Sequence, residues 1–194
     1  MKNTKTTQAV DQLLKLFAGG VVLASVLVAP NAVALLEPLI GKGPDKDKEM
    51  KRLLYHMKRL DLIDTERLKD SNKYITLTDK GNERLNQVQL SEIEISTPKE
   101  WDGLWHIVTF DIPRDKRYER NEFLGHLHRL GFIKLLQSMW VFPFQCEQQI
   151  MTITSELELD KYIVYLTSKV ERGQHDKLIK AFQAKLKNVK LVIR

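Results

Sequence analysis

Apolar positions recur along the first third of the chain at helical spacing. Residues 7–18, TQAVDQLLKLFA, carry Val10, Leu13, Leu14 and Phe17 on one face. A second apolar segment, Val21 to Val28, reads as a helix that stops before Pro30. A third, Ala32 to Ile40, ends at Gly41-Lys42-Gly43-Pro44. The stretch DKDKEMKRLLYHMKRLDLI then opens with Asp45 or Asp47 as a helix cap. Met50, Leu53, Leu54, Met57 and Leu60 make its apolar stripe. Lys48, Lys51, Arg52, Tyr55, His56, Lys58 and Arg59 occupy the opposite face. Leu62 to Leu68 reads as a strand, Lys69 to Asn72 as a turn, and Tyr74 to Leu77 as a second strand. Thr78 caps a further helix, TDKGNERLNQVQ. The order is helix, helix, basic helix, β-hairpin and helix. It predicts a winged helix-turn-helix over residues 1–92.

Residues 93–100 are polar, carry Pro98 and read as a linker. Beyond them the pattern changes. Trp105 to Ile112 is continuously apolar enough for a strand buried on both faces, ended by Pro113. Arg114 to Leu130 predicts a helix with Tyr118, Leu124, Leu127 and Leu130 inward, closed by Gly131. Phe132 to Phe144 is too long for one flat strand and reads as two, bent at Gln137-Ser138. Glu147 to Leu157 predicts a helix with Ile150, Ile153 and Leu157 inward, and Tyr162 to Val170 a strand. This is the β-α-β-β-α-β order of ferredoxin-like domains, here over residues 101–194. A helix from His175 to Leu186 and an alternating terminal strand, NVKLVIR, follow. That strand suits an exposed sheet edge, in its own chain or in a partner. The predicted class is therefore α+β, a winged helix-turn-helix followed by a ferredoxin-like domain.

Composition narrows the function. Of 194 residues, 43% are hydrophobic and 29% charged, as in a globular protein. The net charge of +6 and a pI near 9.3 favour a polyanionic partner. The single cysteine, Cys146, excludes a disulfide framework and a cysteine-rich zinc site. The chain reads as cytoplasmic. One segment opposes this: Leu16 to Leu36 has no charged residue and nearly spans a bilayer in length. Asp11 just upstream, Gly19-Gly20, Pro30-Asn31 and the abundance of alanine favour buried soluble helices there instead.

Three motifs carry a resemblance. They are Phe110-Asp111-Ile112-Pro113, the helix end at Leu127-Leu130-Gly131, and Leu136-Gln137-Ser138-Met139-Trp140-Val141. In this order and spacing they resemble the Cas-two family of CRISPR adaptation proteins and the PaaX family of bacterial transcriptional repressors. Trp101-Asp102-Gly103 and the N-terminal winged-helix module are more similar to PaaX. The resemblance implies a homodimeric, sequence-specific DNA-binding repressor. The alternative it implies is a metal-dependent nuclease or CRISPR adaptation component of Cas-two type. It leaves any small-molecule effector unassigned.

These readings differ at Asp111. In nuclease-active Cas-two relatives the matching aspartate is proposed to hold a divalent cation, which implies Mg²⁺ or Mn²⁺ shared across a dimer axis, with two carboxylates and several waters. An aspartate before Ile112-Pro113 can equally accept backbone N–H groups and shape the turn. Asp115 is the nearest other carboxylate in sequence. For a regulator, no cofactor is implied. Lys48, Lys51, Arg52, Tyr55, Lys58 and Arg59 would enter the major groove of double-stranded DNA on the recognition helix. Arg67, Lys69 and Lys73 would lie on the wing over phosphates. The resemblance places Gln137, Ser138 and Trp140 at the strand bend and dimer surface. Val189, Leu191 and Ile193 of the last strand would join that surface. His126 and His128, two apart on a helix, do not form a metal pair. His106 reads as a core or interface residue, and Cys146 as a helix cap.

Overall fold

A computed structural model describes residues 4–18, 22–23, 46–67, 73–98, 101–170 and 172–185. The chain divides into two compact units that meet between Leu90 and Ser91.

In the first unit, α1 (Thr4–Phe17) turns Ala9, Val10, Leu13, Leu14 and Phe17 inward. They meet Met50, Leu53 and Met57 of α2 (Lys46–Arg59) in one core that also holds Leu62, Ile63, Ile75 and Leu85. Strands β2 (Ile63–Arg67) and β3 (Lys73–Leu77) form an antiparallel hairpin in register from Ile63↔Leu77 to Arg67↔Lys73. Val22–Leu23 forms strand β1, paired antiparallel with Ile75 and Tyr74 of β3, where the sequence predicted a helix. A short apolar run has no periodicity that distinguishes a strand from a helix; here the free edge of β3 selects the strand. The rest of that predicted helix, the one at Ala32 to Ile40 and the turn at Lys69 to Asn72 lie outside the described residues. So does most of the uncharged run. Among the described residues no helix is long and apolar enough to cross a membrane.

Leu60 also departs from the predicted stripe: it is exposed. α2 ends at Arg59, and Asp61 adopts a left-handed φ of 59° that turns the chain into β2. The Leu62 amide donates to the Met57 carbonyl at 3.0 Å, closing the helix end. α3 (Asp79–Glu92) starts against this same turn. The Thr78 hydroxyl accepts from the Gly81 amide at 3.0 Å, a side-chain N-cap, and donates to the Asp61 carbonyl at 2.5 Å. The Asp11 carboxylate of α1 accepts from Arg84 of α3 through both oxygens, at 2.9–3.1 Å.

Among the described residues the second unit holds a four-stranded antiparallel sheet in the order β5-β6-β4-β7. Its strands are β4 (Trp105–Phe110), β5 (Ile133–Leu136), β6 (Met139–Phe142) and β7 (Ile163–Ser168). α4 (Arg117–Arg129) connects β4 to β5, and α5 (Glu147–Glu156) connects β6 to β7, so two β-α-β units interleave. The sheet face bearing Val108, Phe110 and Trp140 meets α4, where Phe110 packs on Phe123 and Trp140 on His128. A final helix, α6 (Arg172–Lys185), packs through Leu178 and Phe182; Phe182 touches Trp105 and Phe142.

The predicted single helix from Arg114 to Leu130 begins instead with a 3₁₀ turn, Arg114–Lys116. Its inward face is Phe123 and Leu127, with Leu124 and Leu130 half-buried. Tyr118 is 66% exposed, not inward. It precedes Phe123 by five residues, about 140° around the helix, which places it on the solvent side. Leu157 is half-buried because α5 has already ended and Glu158 takes a φ of 52°; Leu159 is the buried residue there.

Candidate nucleic-acid interface

α2 supplies most of the cations singled out in the sequence. At about 100° per residue, the buried Met50, Leu53 and Met57 define one side of this helix. Lys48, Tyr55 and Arg59 fall within about 30° of the line opposite; Lys51 and Arg52 flank it at about 50° on either side. Lys58 lies further round, at about 70°. All six are exposed, Tyr55 at 72%. The structure thus brings them onto one outward surface.

They are not equivalent. Arg52 pairs with Glu49 one turn earlier. Lys58 reaches the hairpin: its ammonium donates to the Thr65 hydroxyl at 2.8 Å and lies 3.8 Å from the Asp64 carboxylate. Glu49, Asp64 and Thr65 were not singled out from the sequence. Glu49 had a visible signal, three residues before an arginine on one helix. The Lys58–Thr65 contact depends on how the hairpin folds back and had none. Arg67 and Lys73 are cross-strand partners in the hairpin. Lys69 lies outside the described residues.

Asp111 follows the last residue of β4, and its amide donates to the Tyr162 carbonyl at 3.0 Å. It lines an open groove of about 580 Å³ with Thr109, Phe110, Ser138, Lys161, Tyr162 and Val164. The Lys161 ammonium sits 5.0 Å above the Tyr162 ring. Asp111 is the one carboxylate and Lys161 the one ammonium among these lining residues. Among the described residues no three His, Cys, Asp or Glu side chains gather where they could hold a metal.

Of the residues assigned to a dimer surface, Gln137 and Ser138 are exposed at the β5–β6 bend. Trp140 is not: only 1% is accessible, because its pairing with Val108 points it at α4. Val189, Leu191 and Ile193 lie outside the described residues. The structure shows a different apolar surface. On the sheet face away from α4, Val164 (51% exposed) and Leu166 (46%) of edge strand β7 stand beside Thr109 and Ile107.

His106 and Thr154 are buried polar residues of this unit, and His106 is the titratable one of the two. Its Nδ1 lies 2.6 Å from the Tyr165 hydroxyl, which accepts from the Cys146 amide at 3.4 Å and so can donate to the imidazole. Cys146 stands at the N-cap position of α5 but its thiol turns to Tyr165, 3.8 Å away, rather than capping the helix. Burial pushes that thiol up to about 12 and raises Tyr165 as well. Burial also lowers His106 from 6.5, opposed by Asp102 and Glu147. A histidine depressed in the folded state binds fewer protons than in the unfolded chain. Its contribution is therefore full above about pH 6.5 and shrinks as the pH falls through that value. The thermal midpoint of the wild type should fall from about pH 7.5 to about pH 5.5 more than that of His106→Gln. Equal slopes in a thermal melt series would refute this. Tyr165, 59 residues away in sequence, offered no local signal of this contact.

Residues 98–179 match the family model of the PaaX protein central Cas2-like domain. A comparison with curated proteins finds no match.

Proposed function

We propose, from the match of residues 98–179 to the PaaX central Cas2-like domain, that the protein is a homodimeric, sequence-specific DNA-binding transcriptional regulator, a repressor of PaaX type. The observation that carries the proposal is the outward surface of α2, which presents Lys48, Lys51, Arg52, Lys58 and Arg59 around an exposed tyrosine. The order of helix, edge strand, basic helix, antiparallel hairpin and helix supports a winged helix-turn-helix. In that reading α2 is the recognition helix and the β2–β3 hairpin the wing.

Phosphate contacts by such a surface supply most of the affinity and make it fall with salt. Exposed apolar residues on a sheet edge and face are the usual mark of an association surface. Val164 and Leu166 support dimerisation through the second unit, which would set two recognition helices on two half-sites.

The test uses a labelled duplex from the DNA upstream of the protein's own gene, with Mg²⁺, with Mn²⁺ and with EDTA. The regulator reading expects a discrete complex of intact DNA containing two chains, indifferent to EDTA and unchanged in Asp111→Ala. Metal-dependent cleavage abolished by Asp111→Ala would replace it with the nuclease reading.

A further inference from the structure

The cations of α2 divide into two groups by what the protein already does with them. Lys58 is bonded to Thr65 and lies near Asp64 on β2, so it ties the helix to the hairpin. Arg52 is paired with Glu49 on its own helix. Lys48, Lys51, Tyr55 and Arg59 have no side-chain partner among the described residues, and Lys48, Tyr55 and Arg59 lie on the line farthest from the core; of these, Tyr55 and Arg59 carry groups that can read a base edge. A helix inserted in a groove brings that line deepest, toward base edges, while its flanks face the phosphates.

Tyr55 is unusual on this line. It is a large aromatic side chain, 72% exposed, amid lysines and arginines. A tyrosine hydroxyl can bond a phosphate oxygen, but on the line that goes deepest into a groove the base edges are nearer. A ring can contact the thymine methyl, and a phenolic hydroxyl can bond a base edge. Arg59, four residues on, is the one arginine of α2 not held by Glu49, and a free guanidinium matches the paired acceptors of guanine.

We propose that Tyr55 and Arg59 are the specificity-determining residues of this interface, reading adjacent base pairs, and that Lys58 is a positioning residue that fixes the helix against the hairpin. The assignment rests on the DNA-binding reading above. It separates residues that select sequence from residues that only add affinity.

The experiment is enrichment of duplexes from a pool with a randomised central segment, using the full chain. Affinities are then measured for the enriched duplex and for an unrelated one of equal length. Tyr55→Ala should lose about 5- to 150-fold on the enriched duplex, the range set by one base contact, with little change on the unrelated one. Its enriched motif should become degenerate at one base pair. Tyr55→Phe should keep any thymine-methyl contact and lose only a hydroxyl bond. Arg59→Lys should relax preference for guanine at a neighbouring pair. Lys58→Met should weaken both duplexes alike. Tyr55 is exposed, so its variants retain the fold, checked by their thermal midpoint. If the wild type enriches a motif that Tyr55→Ala and Arg59→Lys also enrich unchanged, the assignment is wrong while the DNA-binding reading stands. If the wild type enriches nothing, both fall.

Discussion

A chain with Lys48, Lys51 and Arg59 all replaced by alanine should bind duplex DNA on the order of a thousand-fold more weakly than the wild type. The estimate takes about 1.5 kcal/mol for each lost charge-assisted contact, the low end for such bonds. These three are chosen because no acidic side chain among the described residues holds them, unlike Arg52 and Lys58. The loss should also change the salt dependence. Each removed phosphate contact lowers the slope of log affinity against log salt by about one; Lys48 and Lys51 are the phosphate contacts of the three, so the slope should fall by up to about two. All three side chains are exposed on α2, so the thermal midpoint should stay within a few degrees of the wild type. Fluorescence anisotropy of a labelled duplex across a salt series reads both quantities. An unchanged affinity and slope would remove α2 from the interface.

The second large effect concerns the scaffold beneath that helix. Gly81→Ala should destabilise the first unit by about 1–3 kcal/mol or more, the range for forcing extra atoms into packed structure. A β-carbon at Gly81 would stand 2.0 Å from the Leu62 carbonyl oxygen, a backbone atom. Leu62 cannot retreat without cost: its amide closes the end of α2 and its carbonyl accepts from the Thr78 amide. The clash therefore pushes on the junction that orients α2, the hairpin and α3 together. Gly125→Ala is the control, because nothing lies within 4 Å of a β-carbon there. That glycine is exposed inside α4, where alanine is the better helix former by about 1 kcal/mol, so this variant should be slightly more stable. Thermal melts of both variants should move in opposite directions. A Gly81→Ala midpoint at or above that of the wild type would show that α3 moves aside freely.

Several local features were legible before any coordinates. The stripe Met50, Leu53 and Met57 fixed which side of α2 is buried and, by exclusion, which cations face out. Thr78 marked a helix start, since its side chain can accept the amide three residues on. Glu147 to Glu156 kept helical spacing of Ile150 and Ile153, and the continuous apolar run of β4 implied a strand covered on both faces. The motifs around Asp111 and at the β5–β6 bend carried the family resemblance, and residues 98–179 match the corresponding domain.

Other features depended on partners distant in sequence. Val22–Leu23 is a strand because β3 has an edge to offer, which no local pattern records. Trp140 was assigned to a surface, yet its register opposite Val108 buries it under α4. The same registers expose Val164 and Leu166, which were not singled out from the sequence. The role of Lys58 was hidden for a similar reason. A lysine in a helix reads as a free cation until a hairpin folds back to occupy it.

The sequence by itself determined the succession of elements in the second unit, the polarity of α2 and the cap of α3, because these follow from periodicity and from contacts within a few residues. Only the tertiary structure decided which α2 cations are paired among the described residues, why Gly81 must be glycine, which residues of β7 stay exposed and how His106 shares a buried site with Tyr165 and Cys146. Those outcomes are set by strand register and long-range packing, in which one residue's environment is made by residues tens of positions away.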